Sequence, residues 1–231
     1  MNTKFALAAL AALPVAAPNA FADPAPSTPA SATTPAALVP VPTVATEVRP
    51  ILIGSALPKI TLKDAAGKTV DLNASIGAKP AVLVFYRGGW CPFCNAHLAQ
   101  LRTTEGPLKE LGYDLIAISP DLPPGLVVTG EKNKLGYRLL SDNTMAASRA
   151  LGISFRVDDA SYKKYQGYGI ELEKGSGEKH HQLPAPAVFI IGRDGTVLFS
   201  YVNPNYRVRL APEILLAAAK AYKDEAGKAP S

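Results

Sequence analysis

At positions 87–94 the chain reads Arg-Gly-Gly-Trp-Cys-Pro-Phe-Cys, and this stretch decides the fold. It follows an apolar run at 81–86, rich in β-branched residues, which is typical of a strand buried on both faces. It precedes an apolar-periodic stretch at 93–111 that predicts a helix, although Gly106-Pro107 should break or kink the far end. The sequence therefore predicts a Cys-x-x-Cys pair at a strand-to-helix turn.

Two cysteines at this spacing suit reversible disulfide chemistry, because two intervening residues at a helix start let the sulfurs meet at about 2.05 Å. Pro92 suits the first helical position, where its missing N–H would have no partner. Cys91 then lies at the helix N-terminus, where free N–H groups and the helix dipole favour a thiolate. Cys94 lies one turn inside and should be more buried and less acidic. Arg87 should add positive charge from the loop.

Three other uses of the pair are less favoured. A bridge across so short a loop would remove little chain entropy and would be a poor structural disulfide. A zinc site would need a second Cys-x-x-Cys or a spaced histidine pair, and haem attachment would need a histidine where Asn95 stands. The chain has only two cysteines, so neither has another intramolecular partner.

The overall composition suits one well-cored domain with appendages. The chain has 231 residues, 48% of them hydrophobic, and a formal net charge of +5. The positive charge is spread along the chain, without a basic stripe or a recognisable nucleic-acid-binding motif. We therefore expect no nucleic-acid partner.

Residues 1–22 have the pattern of a secretory signal peptide. An early lysine precedes an apolar run at 5–17, and Ala20-Phe21-Ala22 fits a small-x-small cleavage site. The run is shorter than the roughly 20 apolar residues that span a bilayer, so we expect cleavage and no stable membrane insertion afterwards. The predicted location is exported, either periplasmic or secreted.

Residues 23–50 are rich in Pro, Ala, Thr and Ser and almost free of charge, which predicts a disordered linker. The folded domain is predicted at 51–228. Its alternating and periodic stretches predict an α/β layered plan, with a hairpin at 59–72, core strands at 81–86 and 114–119, helices at 126–135 and 144–151, a second hairpin at 187–201 and a closing helix at 212–222.

Over nearly all of 51–225 the chain resembles the thioredoxin fold, and more narrowly the peroxiredoxin-like branch of the alkyl hydroperoxide reductase/thiol-specific antioxidant (AhpC/TSA) family. The resemblance rests on the first hairpin, on Phe-Tyr-Arg-Gly-x-Trp-Cys-Pro-x-Cys at 85–94, on Leu-Pro-x-Pro-Ala-x-Phe-x-Ile at 183–191 and on Asn205-Tyr206-Arg207. It implies a central mixed sheet flanked by helices, with an N-terminal β-hairpin.

The resemblance also carries site residues. The signature of true peroxiredoxins runs Phe-Tyr-Pro, then Thr, then the peroxide-attacking Cys. Counted from Phe85, Arg87 stands at the proline position, Cys91 at the threonine position and Cys94 at the attacking position. The active-site arginine of that signature falls at Pro186, which instead matches the proline that thioredoxin-like proteins hold cis against the disulfide.

The predicted catalytic residues are therefore Cys91, Cys94, Arg87, Trp90 and Pro186, although Trp90 suits a packing role equally well. No cofactor and no resident metal is expected. The enzyme class that this set implies is a cysteine-based oxidoreductase with antioxidant activity.

Three functions remain open from the sequence. The first is a thiol–disulfide oxidoreductase in which Cys91 attacks a protein or small-molecule disulfide and Cys94 resolves. The second is a thiol-dependent hydroperoxide reductase in which Cys94 becomes a sulfenic acid and Cys91 captures it, and the missing threonine and arginine disfavour it. The third is a Cu(I) chaperone that uses both cysteines with His180 or His181. The first two need a thiol electron donor or acceptor.

Several other residues receive structural interpretations. His97 is expected on the surface of the helix, and His180 and His181 in a solvated loop. Tyr162 and Tyr165, with Tyr168 three residues further on, favour a satellite core over a lid.

Overall fold

The computed structural model describes residues 40–229. The predicted signal peptide at 1–22, and the predicted linker as far as residue 39, lie outside the described residues. Within them, no helix is both long enough and apolar enough to cross a membrane.

A seven-stranded mixed sheet forms the centre of the domain, with strand order β2-β1-β5-β4-β3-β8-β9. β3 runs parallel to β4 and antiparallel to β8, and β1 with β2 forms the N-terminal hairpin. The two remaining strands, β6 and β7, form a separate antiparallel pair. The strands are β1 (Thr61–Asp64), β2 (Thr69–Asp71), β3 (Ala81–Phe85), β4 (Asp114–Ser119), β5 (Arg138–Ser141), β6 (Ser154–Arg156), β7 (Gln182–Pro184), β8 (Ala187–Ile191) and β9 (Val197–Val202).

Helices cover both faces of this sheet. They are α1 (Leu72–Ala78), α2 (Pro92–Glu110), α3 (Pro123–Asn133), α4 (Ala146–Ala150), α5 (Asp159–Gly167), α6 (Leu172–Ser176), α7 (Pro212–Ala221) and α8 (Lys223–Ala226). Side chains of β3 alternate between two cores, as the period of a strand requires. Val82 and Val84 face α2 and α7, whereas Leu83 and Phe85 face α1 and α4. This arrangement is the predicted α/β layered fold.

Helix α2 continues through Pro107, where the sequence predicts a break or a kink, so the helix is not broken there. Pro107 and Thr103 both face solvent, so the Thr103 carbonyl that loses its helical partner can be hydrated. On the opposite side of the helix, Leu101 and Leu108 are fully buried in the core. Burial of the two leucines on either side of the proline keeps the last turns packed against the core.

Residues 40–50, which the sequence prediction places in the linker, belong to the folded unit in the structure. The carbonyl of Pro42 accepts a hydrogen bond from the N–H of Arg156 at 2.7 Å. The N–H of Ile51 donates to the carbonyl of Leu151 at 3.0 Å. The segment is ordered because its backbone groups pair with the chain around β6 and the end of α4, despite its proline-rich composition.

The peptide bond before Pro186 is trans, which corrects the cis bond implied by the resemblance. The N–H of Ala185 donates to the carbonyl of Ile153 at 2.8 Å, and the carbonyl of Pro186 accepts from the N–H of Asn203 at 3.0 Å. These two bonds keep the chain extended as it passes from β7 into β8.

The polar stretch between β6 and β7 folds into α5 and α6 around a small apolar cluster of Val157, Leu172 and Leu183. Tyr162 and Tyr165 pack on this cluster, as the satellite-core interpretation predicts, and Tyr168 is exposed.

Candidate active site

The two cysteines lie where the loop after β3 enters α2. Cys91 is the N-cap residue and Pro92 the first helical residue. The Cys91 carbonyl accepts hydrogen bonds from the N–H groups of Cys94 at 3.1 Å and Asn95 at 3.0 Å. Both thiols are free, and both residues are enclosed, with 1% of Cys91 and 0% of Cys94 exposed.

Two glycines set the shape of the loop that carries Cys91. Gly88 has a φ of +144°, and a Cβ there would lie 2.4 Å from Nε1 of Trp90. The N–H of Gly89 donates to Oδ2 of Asp121 at 2.8 Å, while its carbonyl accepts from Nδ2 of Asn95 at 2.8 Å. A Cβ at Gly89 would lie 2.1 Å from Oγ1 of Thr129, so a side chain at either glycine would displace its surroundings, and the sequence needs glycine here.

Asp121 anchors this loop from the end of β4. Its Oδ2 also accepts a hydrogen bond from the hydroxyl of Ser119 at 2.9 Å. Burial raises the pKa of the Asp121 carboxyl, and the bonds from Gly89 and Ser119 oppose that rise. Asp121 was not among the predicted site residues, because nothing local marks a carboxyl after a core strand as a loop anchor.

Arg87 is buried among three aromatic rings, with 3% of the residue exposed. Its guanidinium carbon lies 4.2 Å from the ring centre of Tyr206, 5.0 Å from Trp90 and 5.5 Å from Tyr165. Its Nη2 donates a hydrogen bond to the hydroxyl of Tyr165. The structure thus brings predicted residues Arg87 and Trp90 together, and it adds two tyrosines from distant segments.

Arg209 is the most important residue that the sequence prediction missed. It lies in the loop that follows β9, and its Nη2 is 3.4 Å from Sγ of Cys94. Its Nη1 donates to the carbonyl of Val208 at 3.2 Å. The only nearby signal was the Asn205-Tyr206-Arg207 run, which marks the loop but not this arginine.

The two thiols differ in acidity. The thiol of Cys94 donates to Cys91 and lowers the pKa of Cys91 to about 6; burial opposes this, and the charges of Arg87 and Arg209 add to it. Burial raises the pKa of Cys94 well above its usual range, and the adjacent Cys91 raises it further. In the reduced pair the negative charge therefore lies on Cys91. Cys91 is the more acidic thiol, as its position at the helix N-terminus predicts.

Pro186, the fifth predicted residue, is buried at the edge of the sheet from which the active-site loop leaves. It directly precedes Ala187, and Ala187 pairs with Phe85 at the end of β3. The structure places it beside the loop, without the cis geometry that the resemblance implies.

His97 is buried, not on the helix surface as predicted, with 5% of the residue exposed. Its Nε2 lies 3.2 Å from the carbonyl of Leu210. Burial, helped by the charge of Arg209, lowers the pKa of His97 to about 4. The imidazole is therefore neutral at pH 7, and its hydrogen bond ties α2 to the loop of Arg209.

The histidines considered as copper ligands have other partners. Nε2 of His180 lies 2.8 Å from the carbonyl of Asn143, and Nε2 of His181 lies 2.6 Å from a carboxylate oxygen of Glu173. Within residues 40–229, no three His, Cys, Asp or Glu side chains are grouped as metal ligands. The described residues thus give the two thiols no histidine with which to complete a Cu(I) site.

Comparisons with known proteins agree with this architecture. The AhpC/TSA family model matches residues 53–200. The chain is 29% identical over 150 residues to a chloroplastic peroxiredoxin Q of Gentiana triflora, covering 65% of this chain and 58% of the relative. It is 31% identical over 106 residues to peroxiredoxin Bcp of Escherichia coli strain K12, covering 46% of this chain and 67% of the relative.

Solved structures show the same fold. Peroxiredoxin Q of Xanthomonas campestris superposes with a TM-score of 0.56 at 19% identity, covering 76% of this chain and 98% of that one. Reduced Prx3 of Vibrio vulnificus in complex with hydrogen peroxide superposes with a TM-score of 0.58 at 21% identity, covering 73% of this chain and 99% of that one. These likenesses confirm the predicted thioredoxin-like fold.

Proposed function

Because the chain belongs to the AhpC/TSA family, we propose that it is a thiol-dependent hydroperoxide reductase in which Cys91 and Cys94 cycle between two thiols and one disulfide. Family membership confirms the prediction of a cysteine-based oxidoreductase, and the substrate and the roles of the two sulfurs are the proposal. The observation that carries it is the enclosure of both thiols beside the guanidinium of Arg209. A small hydroperoxide fits such a site more readily than the disulfide of a folded protein.

The proposed reaction has two steps. The Cys91 thiolate attacks an oxygen of the hydroperoxide, the O–O bond breaks, and the leaving oxygen takes a proton to become water or an alcohol. Cys91 is left as a sulfenic acid. The sulfur of Cys94 then attacks that of Cys91, the S–S bond forms and water leaves. Two electrons pass from the dithiol to the peroxide, and an external thiol restores the pair by exchange.

The surrounding groups support each step. The helix N-terminus and Arg87 stabilise the Cys91 thiolate before attack. Arg209 lies 3.4 Å from Cys94, where its charge favours loss of the Cys94 proton in the second step. The position of the family's active-site arginine is taken by Pro186 in this chain, and Arg209 brings a guanidinium to the thiol pair from another segment.

A second candidate, thiol–disulfide exchange with another protein, is favoured by the position of Cys91 at the helix N-cap with its pKa lowered to about 6. That reaction would require the site to open, because 1% of Cys91 is exposed.

One experiment separates the two candidates. The reduced full-length chain is mixed with one equivalent of hydrogen peroxide or cumene hydroperoxide, and loss of thiols is followed by stopped flow. A Cys91→Ser/Cys94→Ser double variant is the control. Turnover with excess dithiothreitol, together with slow reduction of insulin disulfides, is expected. Oxidation no faster than that of free cysteine, combined with rapid insulin reduction, would assign the second function instead.

We further propose that the chain is exported, with cleavage after Ala22. The support is the charge, apolar run and small-x-small site of residues 1–22. Fractionation of a Gram-negative host expressing the full chain should give periplasmic protein that begins at Asp23. Cytoplasmic protein that keeps residue 1 would exclude this.

A further inference from the structure

The guanidinium of Arg87 is held in a cage made by three parts of the chain. Trp90 comes from the active-site loop, Tyr165 from α5 and Tyr206 from the loop after β9. Trp90 and Tyr165 also pack on each other, with ring centres 5.7 Å apart. Aromatic faces attract a guanidinium, and a hydroxyl acceptor fixes its orientation.

This buried cation lacks a carboxylate partner. None of the ion pairs within residues 40–229 includes Arg87, and its Nε is buried without a hydrogen-bond partner. An isolated buried charge is costly, so the cage has to compensate for lost hydration. The anion that gains from this arrangement is the thiolate of Cys91, which directly follows Trp90 of the cage. Hydrogen bonds from Cys94 lower the pKa of Cys91, and the charges of Arg87 and Arg209 lower it further.

We propose that Tyr165 is a positioning residue that acts through Arg87: by accepting a hydrogen bond from Nη2, it fixes the guanidinium where its charge stabilises the Cys91 thiolate. Tyr165 lies 78 residues from Arg87 in the chain, on a helix that contributes no other group to the cage. Its ring also packs on the satellite core, so α5 is tied to the charge at the active site. The inference concerns the charge on Cys91 and holds for either candidate substrate.

The test measures the acidity of Cys91 and not catalysis. The Tyr165→Phe variant keeps the ring against Trp90 and removes only the hydroxyl. The pH dependence of Cys91 alkylation by iodoacetamide, with the site assigned by mass spectrometry, gives the apparent pKa. We expect the substitution to raise the apparent pKa of Cys91 by about half a unit. This is less than the full effect of a hydrogen bond to a charged group, because Tyr165 acts on Cys91 through Arg87.

The matched control is Tyr168→Phe, which removes a hydroxyl from the exposed tyrosine directly after α5. It should leave the Cys91 pKa unchanged. Fluorescence of Trp90, the only tryptophan, checks that the cage stays closed in both variants. An unchanged pKa in Tyr165→Phe would overturn the proposal even if peroxide reduction proceeds as proposed.

Two further backgrounds show whether Tyr165 acts through Arg87. In Arg87→Gln protein, Tyr165→Phe should no longer shift the Cys91 pKa; in Arg209→Gln protein, the shift should persist. Arg87→Lys serves in place of Arg87→Gln if the latter does not fold, and the shift should shrink there because an ammonium lacks the planar fork. A shift of equal size with and without Arg87 would mean that Tyr165 acts by packing alone, and would overturn the proposal.

Discussion

The guanidinium of Arg209 lies 3.4 Å from the sulfur of Cys94, although 115 residues separate them in the chain. It places a fixed positive charge at the less acidic thiol and also lowers the pKa of Cys91. The charge of Arg87 also lowers the pKa of Cys91, so two cations act on the buried sulfur pair. The charge of Arg209 therefore helps the Cys94 thiol to lose its proton in an enclosed site.

Replacing Arg209 by Gln should slow disulfide formation after the first oxidation step. A hydrogen bond from a charged donor contributes about 1.5–3 kcal/mol, so the rate constant for disulfide formation should fall about tenfold or more. Stopped-flow fluorescence of Trp90 after one equivalent of hydrogen peroxide measures it. Arg207→Gln, in the same loop but exposed, is the control and should react like the unaltered chain. Equal rates in both variants would remove Arg209 from the mechanism.

The attacking sulfur can be identified with single serine variants. Cys94→Ser should consume one equivalent of hydroperoxide and leave a sulfenic acid on Cys91 that dimedone traps, whereas Cys91→Ser should be inert. In the unaltered chain the rate should rise with pH through about 6, as Cys91 ionises, and then level off. Rapid oxidation of Cys94 in Cys91→Ser, and faster still in Cys91→Thr, would instead assign the attack to Cys94.

Local sequence predicts the part of the site that is built locally. The Cys-Pro-Phe-Cys spacing, the strand before it and the helix after it all depend on neighbouring residues, and the structure has them at the predicted positions. Arg209 and Tyr165 reach the site from loops and helices far along the chain. Their contribution depends on tertiary packing, which no short pattern records.

Tertiary contacts also lie behind two of three points at which the structure differs from expectation. Pro107 is predicted to break or kink α2, but α2 is not broken, because Leu101 and Leu108 are buried and the affected carbonyl is exposed. A composition typical of disorder did not reveal that Pro42 pairs with Arg156. The bond before Pro186 has the ordinary trans geometry of X-Pro bonds, and the family pattern alone implied otherwise.

His97 should make stability depend on pH in the acid range. In the unfolded chain an ordinary histidine takes up a proton below about 6.5, but the buried imidazole stays neutral down to about 4. The unfolded state therefore binds more protons in this window, and the free energy of unfolding should fall by about 3 kcal/mol between pH 7 and pH 4 from this residue.

Urea unfolding at pH 7 and pH 4.5 tests this with His97→Gln, in which the amide can still donate to the Leu210 carbonyl. The variant should lose less stability on acidification than the unaltered chain, because other titrating groups are common to both. Equal losses would show that His97 is protonated in the folded state, with a pKa near its ordinary value.

The last prediction concerns the contribution of residues 40–51 to stability. A chain starting at Pro40 should have the same melting temperature as the full-length protein. A chain starting at Leu52 loses the backbone hydrogen bonds between Pro42 and Arg156 and between Ile51 and Leu151. It also loses the segment that lies over Gly152, where a Cβ would come within 1.9 Å of the Arg49 carbonyl. At about 1 kcal/mol for each bond, the melting temperature should fall by about 5 °C. Calorimetry of the full-length chain and both truncated chains measures this, and identical melting of all three would mean that the segment contributes nothing to stability. If the predicted drop occurs, a third chain starting at Val44 should show part of it, because that start removes Pro42 but keeps Ile51 and Arg49.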